Sequence, residues 1–216
     1  MKKLAVIALL LGACGPLPVV DAGVEVPDSG VEPVDAGAPV NPWADRVVSF
    51  TPGVGAGFGQ DAFPQVVLGA PRGQGASSGS LDVLSLGREG VITLEFTDLV
   101  VVDGPGVDLL VFENAFSGFV ETGVVAVSDD GVDWRAFACD GGTGCAGVNP
   151  VFSHPDNGIS GTDPSVAGGD AFDLADVGLQ RARFVRITDS GANRFYAPPG
   201  GGFDLDALSV VNGVAP

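Results

Sequence analysis

Between residues 43 and 216 no apolar stripe at i, i+3, i+4 and i+7 lasts long enough to make a helix. Short β-rich runs recur instead, each closed by glycine, aspartate, asparagine or proline. They are RVVSF (46–50), QVVLG (65–69), SLDVLSLG (80–87), VITLEF (91–96), VDLLVFEN (107–114), GVVAVS (123–128), DWRAFA (133–138), ARFVRITD (182–189) and FDLDALSVV (203–211). Nine short strands with glycine-rich turns predict an all-β fold, an antiparallel β-sandwich. In ARFVRITD one face carries Phe184, Arg186 and Thr188 and the other Arg183, Val185 and Ile187. Asp130-Gly131 in SDDGVDW marks a turn between two strands. Trp134 after it alternates with Ala136 and Ala138, which predicts a core tryptophan. AFDLADVGL (171–179) predicts a short helical turn.

The chain before residue 43 is of another kind. MKKLAVIALLLGACG opens with Lys2 and Lys3, followed by an apolar run from Leu4 to Leu11 that is too short to span a bilayer. Leu11-Gly12-Ala13-Cys14 resembles the lipobox of bacterial lipoproteins, which implies a signal peptide over 1–13 and lipidation at Cys14. Gly15 follows the cysteine where an aspartate would signal inner-membrane retention, so the resemblance implies an outer-membrane lipoprotein held by its acyl chains, facing the periplasm or the cell surface. Residues 14–42 are rich in proline, glycine and acids and repeat VVDAG, VPDSG and VDAG, so they read as a disordered tether. With Cys14 lipidated, Cys139 and Cys145 in CDGGTGC are left to close a small disulfide loop in an oxidising compartment.

Without the signal the chain has eight arginines against 27 acids, a net charge of −19. Nucleic acid and anionic lipid surfaces are poor partners for it, and divalent cations good ones. Many of its aspartates adjoin glycine or asparagine, as turn-borne oxygen ligands for Ca²⁺ do.

VAVSDDGVDW, ARFVRITD and FDLDALSVV together resemble, in order, the discoidin or coagulation-factor type C domains and the related galactose-binding-like jelly rolls. GSLDVLSLG, VDGPGVDLLVFENAF, GGDAFDLADVGL and GFDLDA resemble a family of bacterial cell-surface lipoproteins. The first resemblance implies a structural Ca²⁺ near the ends of the first and last strands, with Asp206 as a ligand and Asp204 two residues before it. Strand alternation puts Asp204 and Asp206 on one face with Leu208 and Val210. An unpaired carboxylate there is costly, and a bound cation would compensate it. Asp103 and Asp108 in VVDGPGVD, and Glu113 and Asn114 in FEN, are the further oxygen donors expected. Asp163, Asp170, Asp173 and Asp176 form a second acidic group without the order of an EF-hand, open to a Ca²⁺ reading or to turn and helix capping.

For ligands, ANRFYAPPGGG (192–202) is the best candidate loop, with Arg194, Phe195 and Tyr196 suited to stacking on and bonding to a sugar. Phe116 and Phe119 in NAFSGFVETG (114–123) make a second such loop. The single histidine, His154, sits beside Ser153 in a proline- and glycine-rich loop with no nucleophile elbow, so no enzyme is expected. The expectation is a non-catalytic envelope or surface lipoprotein with a Ca²⁺-stabilised sandwich, binding glycan or another extracellular ligand. The alternatives are an envelope assembly protein acting through protein contacts and a hydrolase using acidic residues.

Overall fold

The strand Asp204–Val210 is buried at all seven positions, because the sheet that carries it is covered on both sides. The computed structural model describes residues 40–216, which fall within one unit, Ala38–Pro216. The predicted signal, Cys14 and most of the predicted tether lie outside the described residues.

Among the described residues twelve strands follow in chain order: β1 (Arg46–Thr51), β2 (Leu84–Ser85), β3 (Val91–Glu95), β4 (Val100–Val102), β5 (Leu109–Glu113), β6 (Gly123–Ser128), β7 (Arg135–Ala136), β8 (Asp170–Phe172), β9 (Arg181–Ala182), β10 (Phe184–Asp189), β11 (Asp204–Val210) and β12 (Gly213–Val214). They form a five-stranded sheet, β1-β3-β10-β6-β7, a four-stranded sheet, β2-β11-β5-β8, and a three-stranded one, β12-β4-β9. Every pairing is antiparallel.

The main core joins the two larger sheets. Ile92, Leu94, Val125, Val127, Val185 and Ile187 come from the five-stranded sheet, and meet Leu109, Val111, Leu205, Leu208 and Val210 from the four-stranded one. This settles the alternation in β10: Val185 and Ile187 point inward. On the far side of the four-stranded sheet, Leu110, Phe112 and Ala207 pack with Val151 and Ala167 in a second cluster. β5 and β11 are therefore apolar on both faces, which explains why they read as continuous hydrophobic runs rather than alternating ones. The fold is the expected all-β antiparallel sandwich.

Several local expectations change. QVVLG is a 3₁₀ turn, Gln65–Val67, following Pro64, although Val66 and Val67 are buried. β4, β8 and β12 are strands of only two or three residues that sequence runs did not mark. The AFDLADVGL turn is present as a 3₁₀ helix, Leu174–Val177, capped by Asp173, whose side chain accepts from the Ala175 N–H. The SDDGVDW turn is present too, with Asp130 Oδ1 accepting from the Val132 and Asp133 N–H groups at 2.8 and 2.9 Å. Trp134 is not in the core: it is half-buried, with the Arg186 guanidinium 3.8 Å from its ring centroid. Phe137 is the buried aromatic of that strand region. Cys139 and Cys145 are disulfide-bonded, as expected. The domain also begins before Trp43, since the Pro42 carbonyl accepts the Val210 N–H at 2.8 Å.

Candidate metal centre

Glu113 closes β5, Asn114 follows it, Glu121 precedes β6, and Asp204 opens β11. The sandwich brings these strand ends to one place. One carboxylate oxygen from each of Glu113, Glu121 and Asp204 lies within 4.8 Å of the others. Their exposures are 1%, 1% and 7%, so three acids share a site removed from water.

What makes the site unusual is the lack of compensation. Glu113 Oε2, both carboxylate oxygens of Glu121, Asp204 Oδ1 and Asn114 Oδ1 are sealed from solvent with no hydrogen-bond donor among the described residues. Few donors reach the site, and the Asn114 N–H and Ser85 hydroxyl offset the burial of Glu113 and Asp204 only in part. Asn114 Nδ2 donates to Asp204 Oδ2 at 3.3 Å, and the Asp204 N–H to Glu113 Oε1 at 3.3 Å. The Gly202 N–H favours the ionised form of Glu121, but its hydrogen bond goes to the Phe195 carbonyl at 3.1 Å. No ion pair among the described residues involves the three acids. Burial first, and then the charges of Asp204 and Glu121, push Glu113 well above the usual carboxylate range. Burial and the Asp204 charge raise Glu121 to about 8, and burial above all raises Asp204 to about 6.

Other buried acids show how this fold normally stabilises a carboxylate. Glu95 is held by Arg46 and, at 2.8 Å, by Arg183. Asp170 accepts from the Gly147 and Val148 N–H groups and from Asn149 Nδ2 at 2.7–3.0 Å. Asp189 takes five donors: the Glu89, Gly191 and Phe203 N–H groups, Asn193 Nδ2 and the Tyr196 hydroxyl. The geometry around Asp189 is close enough to require glycine at 202, where φ is +78° and a Cβ would lie 2.6 Å from Asp189 Oδ2.

The predicted ligands thus separate. Glu113, Asn114 and Asp204 converge as expected, joined by Glu121. Asp103 and Asp108 sit elsewhere, with Asp173, in a second three-carboxylate group. There Asp108 is already satisfied, accepting from the Gly104 and Leu174 N–H groups and from Asn212 Nδ2 at 2.8–2.9 Å. Asp103 accepts from Gln180 Nε2. Asp206 is with neither group. A bulge falls between Leu205 and Ala207, so Asp206 is the extra residue opposite the β5 pairing and the alternation changes phase. Leu205, rather than Asp204 or Asp206, therefore shares the core face with Leu208 and Val210. Burial raises Asp206 to about 8, against the pull of the Arg72 N–H.

The second acidic group does not gather. Asp163 is an exposed turn residue that binds the Ser165 N–H and hydroxyl, Asp170 is the backbone-satisfied acid described above, and Asp173 and Asp176 sit at the start of the 3₁₀ helix.

The two aromatic loops, by contrast, meet. Phe119 stacks on Phe116 with centroids 5.1 Å apart and on Phe195 at 5.4 Å, each pair within 7° of parallel. Phe195 is 44% exposed, and the Arg194 guanidinium lies 5.1 Å from its ring centroid. Tyr196 points the other way. Its hydroxyl donates to Asp189 at 2.7 Å and accepts from the Asn193 N–H, and burial with that bond raises it to about 12. Ser153 donates to the Ile159 carbonyl while His154 Nδ1 accepts the Asp156 N–H, so the two side chains do not pair.

Glu121 and Asp189 were not singled out in the sequence. Scarcity is the signal that finds Glu121: residues 43–216 hold four glutamates, 89, 95, 113 and 121, and the last three are buried.

Fold and site together define an antiparallel β-sandwich with an uncompensated buried acid cluster where its strand ends meet. No family model matches the chain, and no curated protein matches it either.

Proposed function

We propose that the domain is a non-catalytic, Ca²⁺-dependent binding module, displayed from the outer membrane by a lipid on Cys14. The observation that carries the cation is the set of sealed, donor-free oxygens on Glu113, Asn114, Glu121 and Asp204. Buried charge without a partner is strongly unfavourable, and a divalent cation offsets it. The donors are all oxygens, which suits a hard cation, and carboxylates with an amide carbonyl match the ligand types Ca²⁺ takes.

The same arrangement ties the cation to binding. Asn114 and Glu121 bracket the loop that carries Phe116 and Phe119, and Asp204 ends the loop that carries Phe195. A cation at the base of both loops fixes the stacked phenylalanines above it. Their exposed edge, with Arg194, suits the apolar face of a sugar ring. Tyr196 then acts from beneath, anchoring its loop to Asp189.

Calorimetry of Ca²⁺ binding to the purified protein, followed by glycan binding with Ca²⁺ and with chelator, tests the reading. Ca²⁺ binding that Glu121→Gln abolishes, with glycan binding lost in chelator and in Phe195→Ala, is expected. Absence of Ca²⁺ binding would overturn the metal reading. Metabolic labelling with a fatty acid, lost in Cys14→Ala, tests the anchor.

A further inference from the structure

The Asp206 carboxylate faces a cavity of about 300 Å³ of its own, apart from the acid cluster. Asp206 is 3% exposed and forms the floor. Its Oδ2 accepts the Arg72 N–H at 2.8 Å, while no donor among the described residues reaches Oδ1. Oδ1 is not sealed in as the oxygens of the acid cluster are, so it is open to the cavity. At the rim, Arg72 Nε pairs with Asp82 Oδ2 at 2.8 Å, and both side chains are about half exposed. With Asp206 ionised, the state an ammonium partner favours, one guanidinium against two carboxylates leaves the cavity one negative charge in excess, on the buried floor. The walls are mixed, with apolar surface from Val66, Leu68, Ala70 and Pro155 beside the polar Gln65.

We propose that this cavity binds a primary alkylammonium group. The ammonium would donate to Asp206 Oδ1 and supply the missing positive charge, with its alkyl chain against the valine, leucine and proline walls. Several features favour this ligand over others. The volume is at the lower end for small-ligand sites and far exceeds a bare ion. A guanidinium already holds the rim, so an anion would meet the buried carboxylate. A neutral alkyl group would leave Oδ1 without a donor, at the cost of an unsatisfied buried acceptor. Two sources offer the same chemistry, a free small amine and a lysine side chain of a peptide.

The test is ligand-observed NMR titration of the purified protein, with chelator present so that the acid cluster binds no metal. The probes are n-butylammonium, Nα-acetyl-lysine N-methylamide, n-butanol and tetramethylammonium. Expected is saturable binding of the two primary ammonium probes, at least about tenfold tighter than either control, because only they combine charge with N–H donors. Tighter binding of the lysine derivative identifies a lysine side chain as the source, and tighter binding of butylammonium a free amine. Asp206→Asn should weaken both probes by at least about tenfold. Ala62→Trp, which fills the cavity from an exposed position outside the sheets, should do the same without disturbing β11. Equal binding of butanol and butylammonium would overturn the proposal, as would butylammonium binding that Ala62→Trp leaves unchanged.

Discussion

Two groups of three buried or half-buried carboxylates stand in this domain, and they differ in what surrounds them. In the Asp103–Asp108–Asp173 group, backbone N–H groups and amides converge on the central aspartate. In the Glu113–Glu121–Asp204 group, sealed oxygens face one another with few donors. The first is a structural use of acid, in which Asp108 ties the Gly104 turn, the start of the Leu174–Val177 helix and Asn212 together. The second leaves a charge for something outside the chain to neutralise. Proximity of carboxylates alone does not separate the two cases; the inventory of donors does.

The largest expected effect tests the satisfied group. Asp108→Ala strands the Leu174 N–H and two further donors, and should cost roughly 3 kcal/mol in chemical denaturation, equally with Ca²⁺ and with chelator. A loss that Ca²⁺ restores would mean that this group also binds metal, and the contrast would fail.

Next comes the cation itself. Ca²⁺ at 100 times its dissociation constant should add about 2.7 kcal/mol to the wild type. For a domain of this size that is a rise in Tm of about 5–10 °C over chelator, read by scanning calorimetry. An unchanged Tm would leave protons as the only compensation for the acid cluster.

A smaller effect carries the more diagnostic sign. In chelator at neutral pH, Glu121→Gln should stabilise the protein by about 1–2 kcal/mol, since glutamine is buried without the proton uptake that Glu121, at about 8, needs on folding. The same substitution should abolish the Ca²⁺ shift. Destabilisation in chelator would point to a structural glutamate.

The pH dependence follows the same logic. Glu121 at about 8 and Asp204 at about 6 lie above their ordinary values, so the folded protein binds protons more tightly than the unfolded chain. Their protonated forms contribute stability that is fully present below about pH 4, near the unfolded values, and lost as pH rises towards about 8. The chelated wild type should therefore lose stability across that window, as urea denaturation would show, and Glu121→Gln should flatten the slope. Saturating Ca²⁺, which needs the ionised acids, should oppose the loss.

The smallest effect concerns the loop above the site. Tyr196→Phe removes the hydroxyl from Asp189 and the Asn193 N–H and should cost about 1 kcal/mol, whereas Phe195→Ala, at an exposed ring, should cost less. The reverse order would make Phe195 the structural residue of that loop.

The sequence by itself determined the class of the fold. Glycine-bounded runs such as GVVAVS need only local preference and period two to be read, and β6 occupies those six residues. It also located the strand ends at which acids are buried, FEN and FDLD, because a charge beside an apolar run is visible in one dimension. The tertiary structure alone decided which acids meet. Glu121 lies 83 residues from Asp204 in FVETG, where nothing local marks it, and it reaches the cluster only because β5, β6 and β11 end at the same place. Asp206 leaves the expected face because a single bulge changes the phase of β11, and a bulge is set by pairing with β5 rather than by the residues of β11 alone. Donor supply is likewise a three-dimensional quantity. Asp108 and Asp204 look alike in the chain, and they differ only in whether another segment brings its N–H groups to them.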